Sequence, residues 1–496
     1  MIDGDINSSN AVFVSGGEEL LSTLGYLNGG ETLYLAPGDY GSVTLEGFMF
    51  DEPITIVSES AGQATIESLT ISGSTNLIFE GIHFESPSNG TSASSIVSIK
   101  DSDNIQINHS EINGPVDDVY DGHVGVRVTD SSNVKIEGNF IHDVKRAGIF
   151  ENTDGLIVAE NTADYLGDDN YKFIAVNDVL IENNIGARHV FPSEGAHLDF
   201  IQFQGRDSSD IVIRGNLLLP ENKTNIQGIF LDDAHYTNVL IEQNIIVTGM
   251  IRGISLSSGT NVVARDNTVL DIDGAGSKAT KVMVDGESYG NIQGSYLQDA
   301  GVGDNLTLQQ ADPSRALHYD DVFENATVGL GMDVLDLTPI PGSLSEEYGA
   351  YERLLELLAQ ASEATETPVE RPSSELEEVP DEVEEIPDEG ADQNPEAVDE
   401  GAEQSPETPD PLLTLKENDS SGGFFDWLFD LFATIFGGNT KTSIGIDPEG
   451  GRDPLISGHS SFELEDLFLD KSDFSPETDE SMAEELEPAE GEMIWL

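Results

Sequence analysis

The segment HLDFIQFQG, residues 197–205, carries a histidine and an aspartate one residue apart, followed by two glutamines. In a β-strand every second side chain lies on the same face, so His197 and Asp199 can point the same way. A neutral imidazole held by a carboxylate is a proton-transfer pair suited to pH of about 7. Gln202 and Gln204 carry amides that hydrogen-bond hydroxyl groups. The segment predicts a site that holds and processes a polar ligand; the alternative is that His197 only caps a loop.

Basic residues are concentrated in the middle of the chain. Eleven of the 21 lysines and arginines fall between Arg127 and Arg265. Such a cluster would bind carboxylates or sulfates of an acidic glycan, with arginine suited to bidentate contacts. We expect Lys172 and Arg146 to act in catalysis with His197 and Asp199. The predicted binding residues are Arg127, Lys145, Gln202, Gln204, Asp232, His235 and Arg252.

A short phrase recurs along the part of the chain that contains these residues. It is a strand with alternating side chains, opened by Asn, Asp or Gly and usually closed by Asn. The intervals run from 22 residues, between Asn133 and Gly155, to 32 residues, between Asp178 and Asp210. The copies are NLIFEGI from Asn76, NIQINHS from Asn104, NVKIEGN from Asn133, GLIVAEN from Gly155, DVLIENN from Asp178, DIVIRGN from Asp210, NVLIEQN from Asn238 and NVVARDN from Asn261.

A strand-turn unit that recurs at this interval predicts a stacked β-solenoid. The alternatives are a β-sandwich or a propeller. Asparagines at equivalent places in successive coils can tie their amides together. Strand alternation places Arg127, Gln202, Phe230 and Ser255 outward. It places inward Val126, Val128, Ile201, Phe203, Ile229, Leu231, Ile254 and Leu256.

The composition excludes several classes of function. With 94 acidic against 21 basic residues and a net charge of -73, the chain lacks the basic face of a general nucleic-acid binder. It contains no cysteine, so disulfides, thiolate nucleophiles and cysteine metal sites are ruled out. No apolar run approaches the ~20 residues that span a bilayer. The start, MIDGDINSSN, predicts no conventional signal peptide, and the acidity fits an extracellular protein.

Residues 16–41, GGEELLSTLGYLNGGETLYLAPGDYG, read as a short amphipathic helix followed by a turn and a strand. This opening and the repeats resemble the helical cap and coils of right-handed parallel β-helix proteins acting on acidic polysaccharides. Those include the alginate and chondroitin lyase family and the mannuronan epimerases. The resemblance, over roughly residues 12–300, implies an all-β right-handed parallel β-helix with an N-terminal helical cap.

For a uronate substrate the chemistry would be abstraction of the C5 proton, eased by cations that neutralise the carboxylate. Elimination of the 4-linked oxygen then gives lysis, and reprotonation from the other face gives epimerisation. A hydrolase of the polygalacturonase type is the alternative, with Asp199 in the acidic position and Asp232 and Asp233 as partners. A non-catalytic glycan-binding, tailspike-like or adhesin-like protein is the other.

Calcium is the cofactor to consider, because lyases of the resembled fold often use it and its ligands are hard oxygens. The weak candidate ligands occur in two acidic loops. They are Asp117, Asp118, Asp121, Asp168 and Asp169.

The C-terminal third changes in composition. EEYGAYERLLELLAQA places Tyr351, Leu354, Leu355 and Leu358 on one helix face. We predict a β-helix domain over residues 1–345, an amphipathic helix over 346–364, an acidic proline-rich disordered linker over 365–422, a short amphipathic apolar helix over 423–438 and an acidic tail over 439–496. The apolar residues 424–436 would contact a protein partner, the solenoid or export machinery, and the tail resembles a C-terminal secretion signal.

Overall fold

The computed structural model describes residues 11–91, 93–116, 122–189, 198–219, 226–271, 280–295, 300–309, 317–324, 332 and 334–366. Within these residues the strands form sheets of 12, 10 and 13 strands, here called sheets 1, 2 and 3. The chain visits sheets 2, 1 and 3 in turn, and each strand pairs with the strands one coil before and one coil after it. The prediction of an all-β parallel solenoid is confirmed by this pairing.

The strands of sheet 1 are Ala11–Val14, Thr32–Leu35, Met49–Ser58, Thr75–Glu80, Asp103–Asn108, Ser132–Glu137, Asp154–Ala159, Asn177–Glu182, Ser208–Arg214, Tyr236–Glu242, Gly259–Arg265 and Glu287–Tyr289. Those of sheet 2 are Ser42–Glu46, Ser68–Ser72, Ser95–Lys100, Val124–Thr129, Arg146–Glu151, Tyr171–Ile174, Leu198–Phe203, Ile226–Leu231, Arg252–Leu256 and Lys281–Val284. Those of sheet 3 are Gly38–Asp39, Ala64–Ile66, His83–Glu85, Glu111–Asn113, Phe140–His142, Thr162–Asp164, Ile185–Gly186, Leu217–Leu218, Ile245–Thr248, Thr268–Asp271, Ile292–Ser295, Gly301–Val302 and Leu306–Gln309.

One helix precedes the described coils along the chain and another follows them. The helix Gly17–Leu24 buries Leu20 and Leu24, as the predicted N-terminal cap requires. A second helix spans Tyr351–Glu366, and short 3-10 helices span Tyr319–Asp321, Val334–Leu337 and Leu344–Glu346. No described helix combines the length and apolar composition needed to cross a bilayer.

The residue type that opens each repeated phrase is explained by its backbone conformation. Its opening residue adopts a left-handed backbone, with φ of 51° at Asn133, 54° at Asp178 and 70° at Gly155. Asn, Asp and Gly tolerate this region better than other residues do. The turn between sheets 2 and 1 therefore selects these residue types in each coil.

Strand alternation fills the interior as predicted. Val126, Val128, Ile201 and Phe203 are all 0% exposed and belong to one continuous apolar core. Aromatic rings stack through this core. The centroids of Phe150 and Phe173 are 5.1 Å apart and those of Phe173 and Phe203 are 4.8 Å apart. These stacks fix the spacing of consecutive sheet 2 strands from the inside.

The asparagines that close the phrases form a buried ladder between sheets 1 and 3. The Asn216 side chain donates to Oδ1 of Asn244 at 2.9 Å and to the carbonyl of Ile181 at 2.9 Å, and the backbone amide of Asn184 donates to its Oδ1 at 3.0 Å. The predicted amide stacking is confirmed. Its described members are Asn139, Asn161, Asn184, Asn216, Asn244, Asn267, Asn291 and Asn305.

The helix Tyr351–Glu366 lies against sheet 3 and a second apolar core. It buries Leu354, Leu357 and Ala361, whereas Leu355, placed by the sequence pattern on the buried face, is 46% exposed. The buried face is therefore rotated from the predicted one toward Leu357. The predicted segments after residue 366, including residues 424–436 and the tail, lie outside the described residues.

Candidate functional site

The outer face of sheet 2 brings several predicted residues into one row. Arg127 pairs in register with Ile149, Ile149 with Lys172, and Lys172 with Gln202. Adjacent strands lie about 4.8 Å apart, so Arg127 and Lys172 are about 10 Å apart along the row. The row continues through Phe230 and Ser255.

A surface cleft of ≈ 410 Å³ opens over the middle of this row. It contains both charges and hydrogen-bonding amides, and an aromatic ring contributes to its wall. The lining residues are Arg146, Asp168, Asp169, Lys172, Gln202, Gln204, Phe230 and Asp233.

Arg146 is held at one wall of the cleft by two carboxylates. Its Nη2 donates to Oδ2 of Asp168 at 2.6 Å, and its Nε lies 3.3 Å from Oδ2 of Asp169. Lys145 Nζ is 3.7 Å from the same Asp168 oxygen. Asp168 and Asp169 thus lie in ion pairs with these cations, and their role as calcium ligands stays a prediction. Among the described residues no group of three or more acidic or histidine side chains could hold a metal.

Asp169 and Asp199 form a buried acidic pair, 2% and 0% exposed. The backbone amide of Asp199 donates to Oδ1 of Asp169 at 3.1 Å. Burial raises the pKa of Asp169 to about 6, and the negative charge of Asp168 adds to the rise. Burial raises the pKa of Asp199 to about 8, and the charge of Asp169 contributes. Both pKa values are shifted upward, so the pair holds a proton at a higher pH than two isolated carboxyl groups would.

Lys172 is the half-buried cation in the cleft floor. Burial lowers the pKa of its ammonium, and the nearby charge of Arg146 lowers it further, while Asp169 opposes the fall. Among the described carboxylates, none lies within the 4.0 Å that defines an ion pair with Lys172. The flanking residues Tyr171 and Phe173 are buried in the core and fix the strand that carries it.

A second polar group lies two to three coils beyond Lys172 along the solenoid. Ser255 Oγ donates to Oδ2 of Asp232 at 2.7 Å, and Arg252 Nε lies 3.7 Å from the same oxygen. The Arg252 guanidinium lies over the Phe230 ring, 5.0 Å from its centroid. This cluster adjoins the cleft through Phe230.

The two predicted glutamines both line the cleft. Gln202 is 7% exposed, and its Oε1 is buried without a hydrogen-bond partner among the described residues. A ligand hydroxyl in the cleft would supply the missing donor.

The remaining predicted residues lie elsewhere. His235 is exposed at the turn between sheets 2 and 1, where its ring contacts Ser258 Oγ at 2.9 Å and Thr260 Oγ1 at 3.0 Å. Arg127 belongs to the row but not to the lining of the cleft. His197 and the loop aspartates Asp117, Asp118 and Asp121 lie outside the described residues.

Two cleft residues, Phe230 and Asp233, were given no binding role by the main interpretation of the sequence. The alternation of GIFLDD already placed Phe230 outward, on the face that holds Gln202. That signal could have identified it. Asp233 follows the strand, and alternation does not fix the direction of a residue in a turn.

No protein-family model and no curated protein matches the chain. Among solved structures, the chain is similar to a PL6 family polysaccharide lyase from Pseudopedobacter saltans, with 12% identity and a TM-score of 0.34 over 68% of this chain and 99% of that one. It is also similar to an alginate lyase from Paenibacillus sp. str. FPU-7, with 16% identity and a TM-score of 0.34 over 51% and 98%. A pectate lyase shows 12% identity and a TM-score of 0.35 over 68% and 89%. Polysaccharide lyases are thus among the structures that this chain is similar to, while the architecture rests on its own strand pairing.

Proposed function

We propose that this protein is a lyase that cleaves an acidic, uronate-containing polysaccharide in the cleft on sheet 2. The observation that carries the proposal is Lys172: a lysine with a lowered pKa, unpaired with any described carboxylate, beside the cation Arg146. A lowered pKa increases the fraction of the lysine that is a free amine at a given pH, and a free amine is a base for carbon acids. A structural lysine on an outer sheet face needs neither a lowered pKa nor a neighbouring arginine.

The residues divide the reaction as follows. Arg146, with Arg127 further along the row, attracts the uronate carboxylate and stabilises the negative charge that develops when C5 is deprotonated. Lys172 Nζ takes the C5 proton. The bond from C4 to the glycosidic oxygen breaks, a C4–C5 double bond forms, and the Lys172 ammonium can return its proton to the leaving oxygen. Return of a proton to the opposite face of C5 would instead give an epimerase.

The acidic pair supports this chemistry through electrostatics. The carboxyl group of Asp169 lies beside Lys172 and Arg146, so its ionisation changes the charge of the cleft. Gln202 and Gln204 bind hydroxyls of neighbouring sugars, and Arg252 binds an acidic group beyond Phe230. The large acidic excess of the chain supports a location outside the cell.

A hydrolase is the second candidate, favoured by the different pKa values of Asp169 and Asp199. One carboxyl group that keeps its proton beside another that loses it is the pattern of general acid and base in glycoside hydrolysis. In that case Asp199 would protonate the leaving oxygen, which requires the cleft to open toward it.

The test is incubation of the purified protein with alginate, pectate, chondroitin and neutral glycans, with and without calcium. Ultraviolet absorbance of unsaturated uronate and new reducing ends are followed together. A lyase raises both, and a hydrolase raises reducing ends alone. If neither changes, exchange of the C5 proton followed by NMR separates an epimerase from a non-catalytic glycan-binding protein.

A further inference from the structure

The outer face of sheet 1 carries an aliphatic row that the proposed catalytic function does not use. Its members are in strand register: Ile157 with Leu180, Leu180 with Val212, Val212 with Leu240, and Leu240 with Val263. We call these five residues the sheet 1 stripe. With adjacent strands about 4.8 Å apart, its length is about 19 Å.

The sheet 1 stripe lies outside the interior of the solenoid. None of its five members belongs to either apolar core of the described residues. Four are partly exposed, and Val212, whose register partners are Leu180 and Leu240, is buried. Lys135 and Glu287 occupy the same row at its two ends.

Ion pairs flank the stripe on one side. Arg214 Nε donates to Oε1 of Glu182 at 2.7 Å, and Arg265 Nε donates to Oε2 of Glu242 at 2.9 Å. These charges neutralise one another along the neighbouring row. The stripe is therefore an apolar strip, and the charged residues along its border pair with one another. Such a surface suits a partner with an apolar centre and polar edges.

An outward apolar row on sheet 3 is covered by a helix of the same chain. Its outer residues Leu217, Ile245 and Ile292 pack in the second apolar core with Leu354 and Leu357 of the helix Tyr351–Glu366. An amphipathic helix of this chain thus already covers the other outward apolar row. No described element covers the sheet 1 stripe in the same way.

The sequence beyond the described residues contains one segment of matching size and character. Residues 424–436, FFDWLFDLFATIF, predict a helix with a wide apolar face and with Asp426, Asp430 and Thr434 on the other side. Thirteen helical residues extend about 20 Å, close to the length of the stripe. A linker of 57 residues, 367–423, separates the segment from Glu366, which is ample to reach sheet 1.

We propose that residues 424–436 dock as a helix on the sheet 1 stripe of the same molecule. The apolar side covers Leu180, Val212 and Leu240, and the aspartates face solvent. The solenoid thereby carries one helix on sheet 3 and a second on sheet 1, and sheet 2 stays open for ligands. This inference is independent of the proposed reaction.

Tryptophan fluorescence tests the proposal, because the chain contains only Trp427 and Trp495. The full-length variant Trp495→Phe leaves Trp427 as the single reporter inside the docking segment. We expect blue-shifted emission that resists quenching by acrylamide. Adding Leu180→Asp and Leu240→Asp should shift the emission to the red and raise the quenching constant several-fold.

The control is a matched pair of charges on another outer face, Thr44→Asp with Thr70→Asp, both at exposed positions of sheet 2. This control should leave the Trp427 emission unchanged. Far-ultraviolet circular dichroism establishes that each variant keeps its sheets. A Phe432→Asp variant, which alters the segment instead of the solenoid, should give the same red shift and faster hydrogen exchange in the strand Asn177–Glu182.

Three results would overturn the proposal. Trp427 could be as accessible to acrylamide in the unaltered background as in denaturant. The emission of Trp427 could also stay unchanged when Leu180→Asp and Leu240→Asp are introduced. The blue shift could also depend on protein concentration, together with a dimer in sedimentation that the stripe variants abolish; the stripe would then bind a second copy of the chain.

Discussion

The backbone amide of Asp199 donates a 3.1 Å hydrogen bond to Oδ1 of Asp169 in the preceding coil. The parallel pairing of sheet 2 thus places two carboxyl groups beside each other in a region where both are almost fully buried. Two such groups cannot both ionise without a large cost, so the coil spacing itself separates their pKa values.

The first prediction concerns stability and pH. The pKa of the Asp199 carboxyl is about 3.8 in the unfolded chain, but burial raises this pKa to about 8 in the folded protein. Between these values the folded state binds more protons, so the free energy of unfolding falls as pH rises. Asp199→Asn has no carboxyl group to ionise, so it does not lose this stability as pH rises. The difference in free energy of unfolding between the variant and the unaltered protein should therefore increase by at most about 1.4 kcal/mol per pH unit.

Urea denaturation at about pH 5 and about pH 8 measures the difference. Asp101→Asn is the control, because Asp101 is an exposed turn residue whose nearest described cation, Lys100, is 3.7 Å away. Parallel pH dependence in Asp199→Asn and the unaltered protein would contradict the raised pKa.

The second prediction concerns Lys172. If its amine takes the C5 proton, Lys172→Met should lower kcat by about 100-fold or more, which is the usual contribution of a general base. The lowered pKa also predicts that the rate of the unaltered enzyme stops rising at a pH below the ~10.4 of an ordinary lysine. Steady-state kinetics across pH on the substrate found above measures both effects.

Lys135→Met serves as the matched variant, because Lys135 lies on the outer face of sheet 1 and pairs with Glu137 at 2.5 Å. A surface pair of this kind contributes little to stability, so its removal should leave turnover intact. A kcat for Lys172→Met equal to that of Lys135→Met would exclude Lys172 as the base.

The architecture and the outward row could be predicted because both follow from a period in the sequence. Turns that need a left-handed residue repeat Asn, Asp or Gly at each coil, as at Asn133, and alternation then decides which residues face out. This was enough to place Arg127, Gln202 and Phe230 on one face.

The electrostatics of the cleft could not be predicted in this way. The complete burial of Asp199 depends on how neighbouring coils close over the start of its strand, and no local pattern records that. Likewise, the contacts of Arg146 with Asp168 and Asp169 depend on a loop of the next coil. The position of His235 at a turn follows from the strand end, where alternation no longer applies.

The third prediction concerns the helix that covers sheet 3. Arg353 is 7% exposed, and its Nε donates to the carbonyl of Gly215 at 2.9 Å. Arg353→Ala should destabilise the docked helix by about 1–3 kcal/mol, because a buried carbonyl loses its donor. Hydrogen exchange in Leu217–Leu218 and Ile245–Thr248 should accelerate, whereas Glu352→Ala, at an exposed position of the same helix, should change little. Equal exchange in the two variants would show that Arg353 does not hold the helix.

The last prediction concerns the asparagine ladder. Asn216→Ala removes the side chain that accepts from the backbone amide of Asn184 and donates to Asn244 and to the carbonyl of Ile181. Each buried group left without a partner costs about 1–3 kcal/mol, so the free energy of unfolding should fall by about 3 kcal/mol or more. Asn177→Ala is the comparison, since this exposed asparagine accepts surface hydrogen bonds from the backbone amide of Ser209 at 3.2 Å and from its hydroxyl at 3.1 Å. Chemical denaturation measures the fall in free energy of unfolding for both variants. Similar falls would show that the ladder only fills space and does not hold the coils together.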